Sequence, residues 1–300
     1  MTKNINFVSN FKKANTASVI IFILSIFFII FKGLNYGIDF KGGTLIELRS
    51  DTSLNASTIR DALKTMNLGD VNVKKFGRDG DYLIKIEQKN NSNNLIPGIK
   101  NKLSANLNSE IDFRRVENVG PKVSSELLES SIIAISLALA AMLFYIWVRF
   151  EWQFSVGSIV ALFHDVVITL GIFSLLSLEI NLSIIAAVLT IVGYSMNDTV
   201  VIYDRIRENL LKYSKISISD IANLSINETL ARTIITSVTT LLALVSIYVL
   251  GGEILRGFSF AMILGVIIGT YSSIFVAAPI LKFFKVSYKT LEKDEEKIVP

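Results

Sequence analysis

The sequence predicts a polytopic α-helical membrane protein with six spans and one ferredoxin-like α+β domain inserted after the first. Three observations carry this fold class. Hydrophobic residues make up 51% of the 300-residue chain, and the mean hydropathy is +0.51. Six stretches reach the roughly 20 apolar residues that cross a bilayer: 17–34, 131–149, 154–176, 182–203, 232–250 and 257–281. Between the first two lies a polar segment, 35–130, in which strand and helix patterns alternate.

Taken in order, Lys3, Lys12 and Lys13 precede the apolar run "ASVIIFILSIFFIIF" of the first span. A cleaved signal peptide has a small-x-small site after such a run. "KGLNYGIDF" has none, so the segment reads as an uncleaved membrane helix.

Lysine and arginine counts over the short connections set the orientation. One side carries Lys3, Lys12, Lys13, Arg149, Arg205, Arg207, Lys212, Lys215, Arg232, Lys282, Lys285, Lys289, Lys293 and Lys297; the other has Arg256 in "GGEILRG" and none in "SLEIN". Both termini (1–16 and 282–300) are therefore expected in the cytoplasm, together with the 204–231 connection, and the large 35–130 segment outside.

Within that segment "GGTLIELRS" alternates as a strand does, and "TSLNASTIRDALKTMNLGD" opens on Ser and Thr caps before helical spacing. "VNVKKF" and "DYLIKIEQ" around "GRDG" read as a hairpin. "LIPGIKNKLSANLN" follows as a helix and "IDFRRVENVG" as the last strand. The order βαββαβ is that of a small ferredoxin-like domain, and its mixed charges suit a solvated fold. In 204–231, "ISDIANLSINETLART" reads as an amphipathic helix leading into the fifth span, and the charged tail "LEKDEEKIVP" as disordered.

Composition excludes several chemistries. There is no cysteine, so disulfides, thiol catalysis and Cys-ligated metal centres are ruled out. No GxxxxGK[ST], GxGxxG, HExxH or GxSxG occurs. One histidine cannot build a His-rich metal site. The chain reads as a non-enzyme without metal or cofactor, drawing on an energy source other than bound ATP.

The polar residues inside the spans point to such a source. Asp198, preceded by Asn197, lies six residues before Asp204, about 9 Å inside the start of the charged connection. Arg232 enters the fifth span from the same side, and a helix hairpin would bring it to Asp198. At 100° per residue, Arg232, Thr236 and Thr239 share one face, read as a polar stripe pointing inward. His164 and Asp165 fall mid-span in the third helix, with Ser158, Asp165 and Thr169 on one face. A charge at the bilayer centre costs about 2.5–3.5 kcal/mol on insertion scales, so these groups need partners or water, as on a proton or ion path. Moving Arg232 toward or away from Asp198 would couple protonation to helix motion.

Plainer readings stand beside this one. Asp198 and Arg232 make a fixed structural ion pair, Arg232 pairs with Glu228 one turn earlier, or it snorkels to headgroups. His164 alone would be a neutral interhelical hydrogen-bond donor; beside Asp165 it is a better titrating candidate. Gly265 and Gly269, with Ala261 one turn earlier, form a small-residue packing face, and Gly193 is assigned to helix packing as well. Tyr203-Asp204 lacks the GxGD of intramembrane aspartyl proteases.

Several stretches together resemble the SecF branch of the SecD/SecF protein-export family, within the RND-like superfamily: "GIDFKGG" after the first span, "HD" in the third, "GYSMNDTVVIYDRIREN" ending the fourth and "NETLARTIITSVTTLLALV" in the fifth. The resemblance covers nearly the whole chain. It implies a subunit of the bacterial inner membrane that pairs with a separate SecD chain beside the SecYEG channel, with YajC and YidC as further partners. Such a subunit uses the proton-motive force to complete preprotein translocation after SecA has acted. It places Asp198 and Arg232 on the proton pathway, with Asn197, His164, Asp165, Thr236 and Thr239 as further candidates. Gly37, Asp39, Gly42 and Gly43 match the signature at the root of the outer domain, where Gly42 and Gly43 suit a tight junction. The coupling ion is expected to be H⁺, with Na⁺ the alternative. A structural assembly subunit, whose intramembrane charges only specify helix packing, is the competing function. An integral membrane enzyme or small-molecule exporter is the third.

Overall fold

The computed structural model describes residues 5–50, 54–66, 68, 71–75, 79–87, 95–107, 111–213 and 215–295. In chain order, a 3₁₀ turn (Val8–Asn10) leads into α1 (Phe11–Phe31), followed by β1 (Asn35–Tyr36), α2 (Ile38–Lys41), β2 (Gly43–Ser50), α3 (Ala56–Lys64), β3 (Val71–Lys75), β4 (Asp81–Ile86), α4 (Leu95–Leu107) and β5 (Ile111–Val119). Then come α5 (Pro121–Arg149), α6 (Trp152–Leu175), β6 (Glu179–Ile180), α7 (Leu182–Lys212), α8 (Ile218–Leu250), α9 (Gly252–Ser272), a π-helical turn (Ser273–Ala277), α10 (Ala278–Phe283) and α11 (Tyr288–Glu295). Two compact units result. One is helical, built from the chain up to Asn35, Ile135–Leu178 and the chain from Ser183 on; the other, Tyr36–Ala134 with Glu179–Leu182, is α+β.

The α+β unit has the expected ferredoxin-like order. Its four-stranded sheet runs β3-β4-β2-β5 with every neighbouring pair antiparallel. Alternation decides which face is buried: Ile46 and Leu48 of β2, Val71 and Val73 of β3, and Ile84 and Ile86 of β4 all turn inward. They meet Ile59 and Leu63 of α3 and Ile99 and Leu103 of α4 in one core. Each such side chain is worth about 1.5–3 kcal/mol when fully buried. Of the expected "GRDG" turn, Gly77 and Arg78 lie outside the described residues; Gly80 has φ +94°, and a Cβ there would sit 2.5 Å from Ser50 O. Arg49 clasps Asp81 through two hydrogen bonds of 2.5 and 2.6 Å, and this partner raises the guanidinium pKa further.

The signature "GIDFKGG" makes a helix-to-strand junction. Gly37 precedes the single turn α2, Gly42 (φ +78°) ends it, and β2 starts at Gly43 (φ +143°). A Cβ on Gly43 would come within 2.5 Å of Ile86 O, so only glycine lets β2 enter beside β4. On its other side the signature holds the 179–182 loop. β1 pairs with β6, Gly37 N donates to Ile180 O (2.8 Å), and Leu182 N donates to Asp39 Oδ2 (2.9 Å). Lys85 of β4 pairs with Glu179 in the same loop.

Among the described residues six helices are long and apolar enough to cross a membrane. They sort by burial. About half of each apolar window is enclosed in α6, α7 and the α9–α10 span (56%, 50% and 56%), against 11%, 11% and 17% in α1, α5 and α8. The three inner helices pack where small residues permit. At Gly265 and Gly269 of α9 an added Cβ would strike Ile191 and Ser195 of α7, the latter at 2.9 Å, and Ala261 is fully enclosed. The expected packing face is therefore present. Gly171 of α6 likewise leaves no room for a Cβ beside Ser25 of α1.

One partly helical segment proves more helical than expected, and two expectations are corrected. The connection 204–231 is almost wholly helical, because α7 continues to Lys212 and the amphipathic segment merges with the fifth span into one helix, α8. Ser217 caps α8 by accepting from Asp220 N (3.2 Å), and Ile221, Ala222, Ser225, Ile226 and Thr229 form its buried face. The tail is ordered as far as α11, since Val286 and Leu291 are buried in the helical core despite the surrounding charge; residues 296–300 lie outside the described residues. Gly193, assigned to helix packing, is exposed on α7 and an added Cβ there meets nothing within 4 Å.

Candidate functional site

Asp165 and Asp198 are the most enclosed carboxylates of the helical unit among the described residues, and their surroundings differ. Asp165 of α6 is fully enclosed. Its Oδ2 accepts from Ser195 Oγ of α7 (2.5 Å) and Ser272 Oγ of α9 (2.7 Å), and its Oδ1 lies 2.8 Å from His164 Nδ1. Three groups from three helices thus converge on one acid. Thr169, one turn on, returns its hydroxyl to Asp165 O (2.8 Å), and Ser158 is buried on the same face. The expected alignment of Ser158, Asp165 and Thr169 holds because all three fall on the inner side of α6. The His164 ring stacks on Phe22 of α1, with centroids 6.3 Å apart and planes within 4°.

Asp198 of α7 is 2% exposed yet thinly bonded. Thr270 Oγ1 of α9 donates to its Oδ2 at 3.4 Å, a long contact, while the same hydroxyl shares a 2.8 Å bond with Ser237 Oγ of α8. Next to it, Thr199 Oγ1 and Ser273 Oγ are 2.9 Å apart, which ties α7 to the start of the π turn. Tyr203, fully buried one turn further, donates to Ala277 O inside that turn (2.9 Å), and its ring has room because residue 157 is glycine.

No ion pair joins Asp198 and Arg232 among the described residues. Arg232 is exposed on α8, Thr239 is exposed, and Thr236 is half-buried; the latter two return their hydroxyls to carbonyls of their own helix. The inward stripe is thus overturned. Periodicity fixes which residues share a face but not which face packs, and α8 turns Thr233 and Ser237 inward instead. Nor is Glu228 free for Arg232: it accepts from Arg205 (2.6 Å) and Asn209 (2.7 Å) of α7. Asn197 faces outward beside Asp198, on the same exposed side as Gly193. The spacing argument missed Ser195, Ser237, Thr270 and Ser272. The signal for the last two was "GTYSS" (269–273), a run of hydroxyl residues inside an apolar span.

This arrangement can do one thing chemically. In an acid shut off from water with a single long donor, the ionised form is the poorly supported one, so donors or cations moving toward or away from it change how well that form is held. Asp165, by contrast, is satisfied on both oxygens.

Comparison with known proteins agrees with the motifs. Residues 99–287 match the family of SecD/SecF protein-export membrane proteins over its C-terminal region, and residues 27–53 match the SecD/SecF GG motif. The protein translocase subunit SecF of Rickettsia rickettsii is 46% identical over 290 residues, 95% of this chain and 94% of that one. SecF of Rickettsia bellii is 48% identical over 278 residues, 92% of each. Among solved structures, SecDF from Thermus thermophilus, a translocon-associated membrane protein, superposes with a TM-score of 0.86 at 35% identity. That match covers 94% of this chain and 39% of the SecDF chain. SecDF in its super-membrane-facing form matches with a TM-score of 0.71 at 34% identity, covering 99% of this chain and 40% of that one. With residues 99–287 matching the family and SecF relatives 46% and 48% identical over 95% and 92% of its length, this chain belongs to the SecD/SecF family of protein-export membrane proteins.

Proposed function

We propose that the chain is the SecF-type subunit of a preprotein translocase of the bacterial inner membrane. With a separate SecD chain it uses the proton-motive force to promote late steps of translocation. The observation that carries this reading is Asp198: enclosed among apolar helices, free of an ion pair, and held by one long hydrogen bond. Asp198 takes up and releases the proton. Arg232, on the open face of α8, approaches it when helices rearrange, and Asn197, Thr236 and Thr239 lie on the same open side of their helices or at its edge. SecD covers that side, in keeping with a SecDF chain more than twice as long as the part matched here. His164 and Asp165 belong to the same pathway. Both termini lie in the cytoplasm and the α+β unit outside, where it meets preproteins; SecYEG, YajC and YidC are the neighbouring partners. The coupling ion is H⁺, with Na⁺ the alternative, and no nucleotide is used.

One observation favours the second reading, an assembly subunit whose intramembrane charges specify packing: Asp165 has all its donors in place, as a structural carboxylate would. Export driven by an imposed gradient separates the two. Vesicles containing this chain with its SecD partner should export faster under a proton gradient, and Asp198→Asn should lose that stimulation while assembling normally. Full stimulation in Asp198→Asn would leave only the packing role. A sodium gradient in place of the proton gradient identifies the ion.

A further inference from the structure

Four consecutive residues, the last three of α9 and the first of the π turn, reach four different helices. Thr270 touches Asp198 of α7 and Ser237 of α8; Tyr271 donates to Ala14 O (2.8 Å) and accepts from Ser18 Oγ (3.0 Å), both on α1. Ser272 donates to Asp165 of α6, and Ser273 meets Thr199 of α7. At 100° per residue these side chains sweep most of the way round the helix, so the segment lies at the centre of the bundle. Gly269, immediately before it, admits Ser195 of α7 to within 2.9 Å of where a Cβ would stand.

The backbone changes character at the same place. The α-helix ends at Ser272 and the π turn occupies Ser273–Ala277. A π turn carries an extra residue and loosens the regular ladder, and such turns are frequent at functional sites. Here the Ala277 carbonyl, at the end of the π turn, takes the Tyr203 hydroxyl. A slip between α and π register would rotate residues 270–272 as a block, moving Thr270 against Asp198 and Ser272 against Asp165 in one step.

We infer that Thr270 and Ser272 are the positioning residues of the two carboxylates and that the Gly269–Ser273 segment couples them, so that a change at one acid is felt at the other. This rests on the reading of Asp198 as the exchanging acid, which it deepens by supplying the element that reports the state of Asp165 to it. Neither hydroxyl carries the proton across the membrane; each sets where its partner carboxylate points.

The test labels Asp198 with dicyclohexylcarbodiimide, which reacts with protonated carboxyls in apolar surroundings, in membranes holding the full chain with its SecD partner. Asp198→Asn supplies the blank. Ser272→Ala, whose lost hydroxyl bonds Asp165 and not Asp198, should change Asp198 labelling by about threefold or more. Thr270→Val should do the same, and Thr270→Ser should restore the wild-type level. Where Ser272→Ala does not accumulate, Ser272→Gly removes the same hydroxyl with no added volume. Wild-type labelling in the Ser272 variant would overturn the coupling, and a Thr270→Ser variant as altered as Thr270→Val would overturn the positioning role. The labelling readout does not depend on export, so loss of the proton-driven function in the vesicle experiment and loss of this coupling are separate results.

Discussion

Asp39 and Leu182 stand 143 residues apart in the chain, yet the Asp39 carboxylate accepts the first backbone N–H of α7 at 2.9 Å. The first N–H groups of a helix have no partner within it, and a negative charge there also suits the helix dipole. The aspartate of "GIDFKGG" is therefore a remote cap for the helix that carries Asp198. Asp39→Ala should destabilise the protein by about 1 kcal/mol, the usual cost of a lost cap, while Asp39→Asn, which keeps an acceptor oxygen, should lose less. Thermal unfolding of the purified chain in detergent measures both, and equal losses would refute the capping role.

Gly43 should tolerate substitution least within that signature. Its φ of +143° disfavours any side chain, and its Cβ would stand 2.5 Å from Ile86 O, a backbone atom that cannot swing aside. At Gly42 the nearest atoms are 3.4 Å away and only the φ of +78° is adverse. Gly42→Ala should cost about 1–3 kcal/mol, and Gly43→Ala more, seen as reduced accumulation and faster proteolysis of the α+β unit. The opposite ranking would show that the close approach of β2 to β4 is not the constraint.

Contact between α7 and α9 should be limited by Gly265. An alanine there collides with Ile191, a fully buried side chain. Gly265→Ala should lower the unfolding temperature, and Ile191→Ala, itself destabilising through the cavity it leaves, should partly rescue it. A double-mutant cycle measures the interaction, expected at about 0.5–3 kcal/mol between touching residues. An additive result would mean that the helices meet elsewhere.

Burial raises the Tyr82 phenol above its ordinary value of 10.0, and the nearby Asp79 charge adds to this. Its hydroxyl donates to Leu54 O. A proton held more tightly in the folded state contributes stability that is fully present below pH ~10 and lost as pH rises through the folded value. The contribution of Tyr82 to the stability of the α+β unit should thus be flat through neutral pH and fade in strong alkali. Tyrosinate absorbance of the wild type minus that of Tyr82→Phe should reveal one tyrosine ionising late; a difference curve centred at the ordinary value would exclude the burial effect.

Local pattern alone determined much of this protein. The apolar runs gave six spans because a bilayer imposes a length on any helix that crosses it, and strand alternation with βαββαβ order gave the ferredoxin-like unit because side-chain direction repeats every two residues. The glycines of "GIDFKGG" and of α9 were legible for the same reason, since only a missing Cβ permits those approaches. Sequence also picked out Asp165 and Asp198, as charges where lipid-like surroundings tolerate none without purpose.

Tertiary structure decided what those acids touch. Helical spacing put Arg232, Thr236 and Thr239 on one face, but which face packs depends on the neighbouring helix, and α8 presents Thr233 and Ser237 instead. The donors of Asp165 come from residues 30 and 107 positions away, and the cap of α7 from 143. No local signal encodes such pairings, because each is fixed by how whole helices dock, with volume and hydrogen-bond satisfaction resolved over the bundle at once.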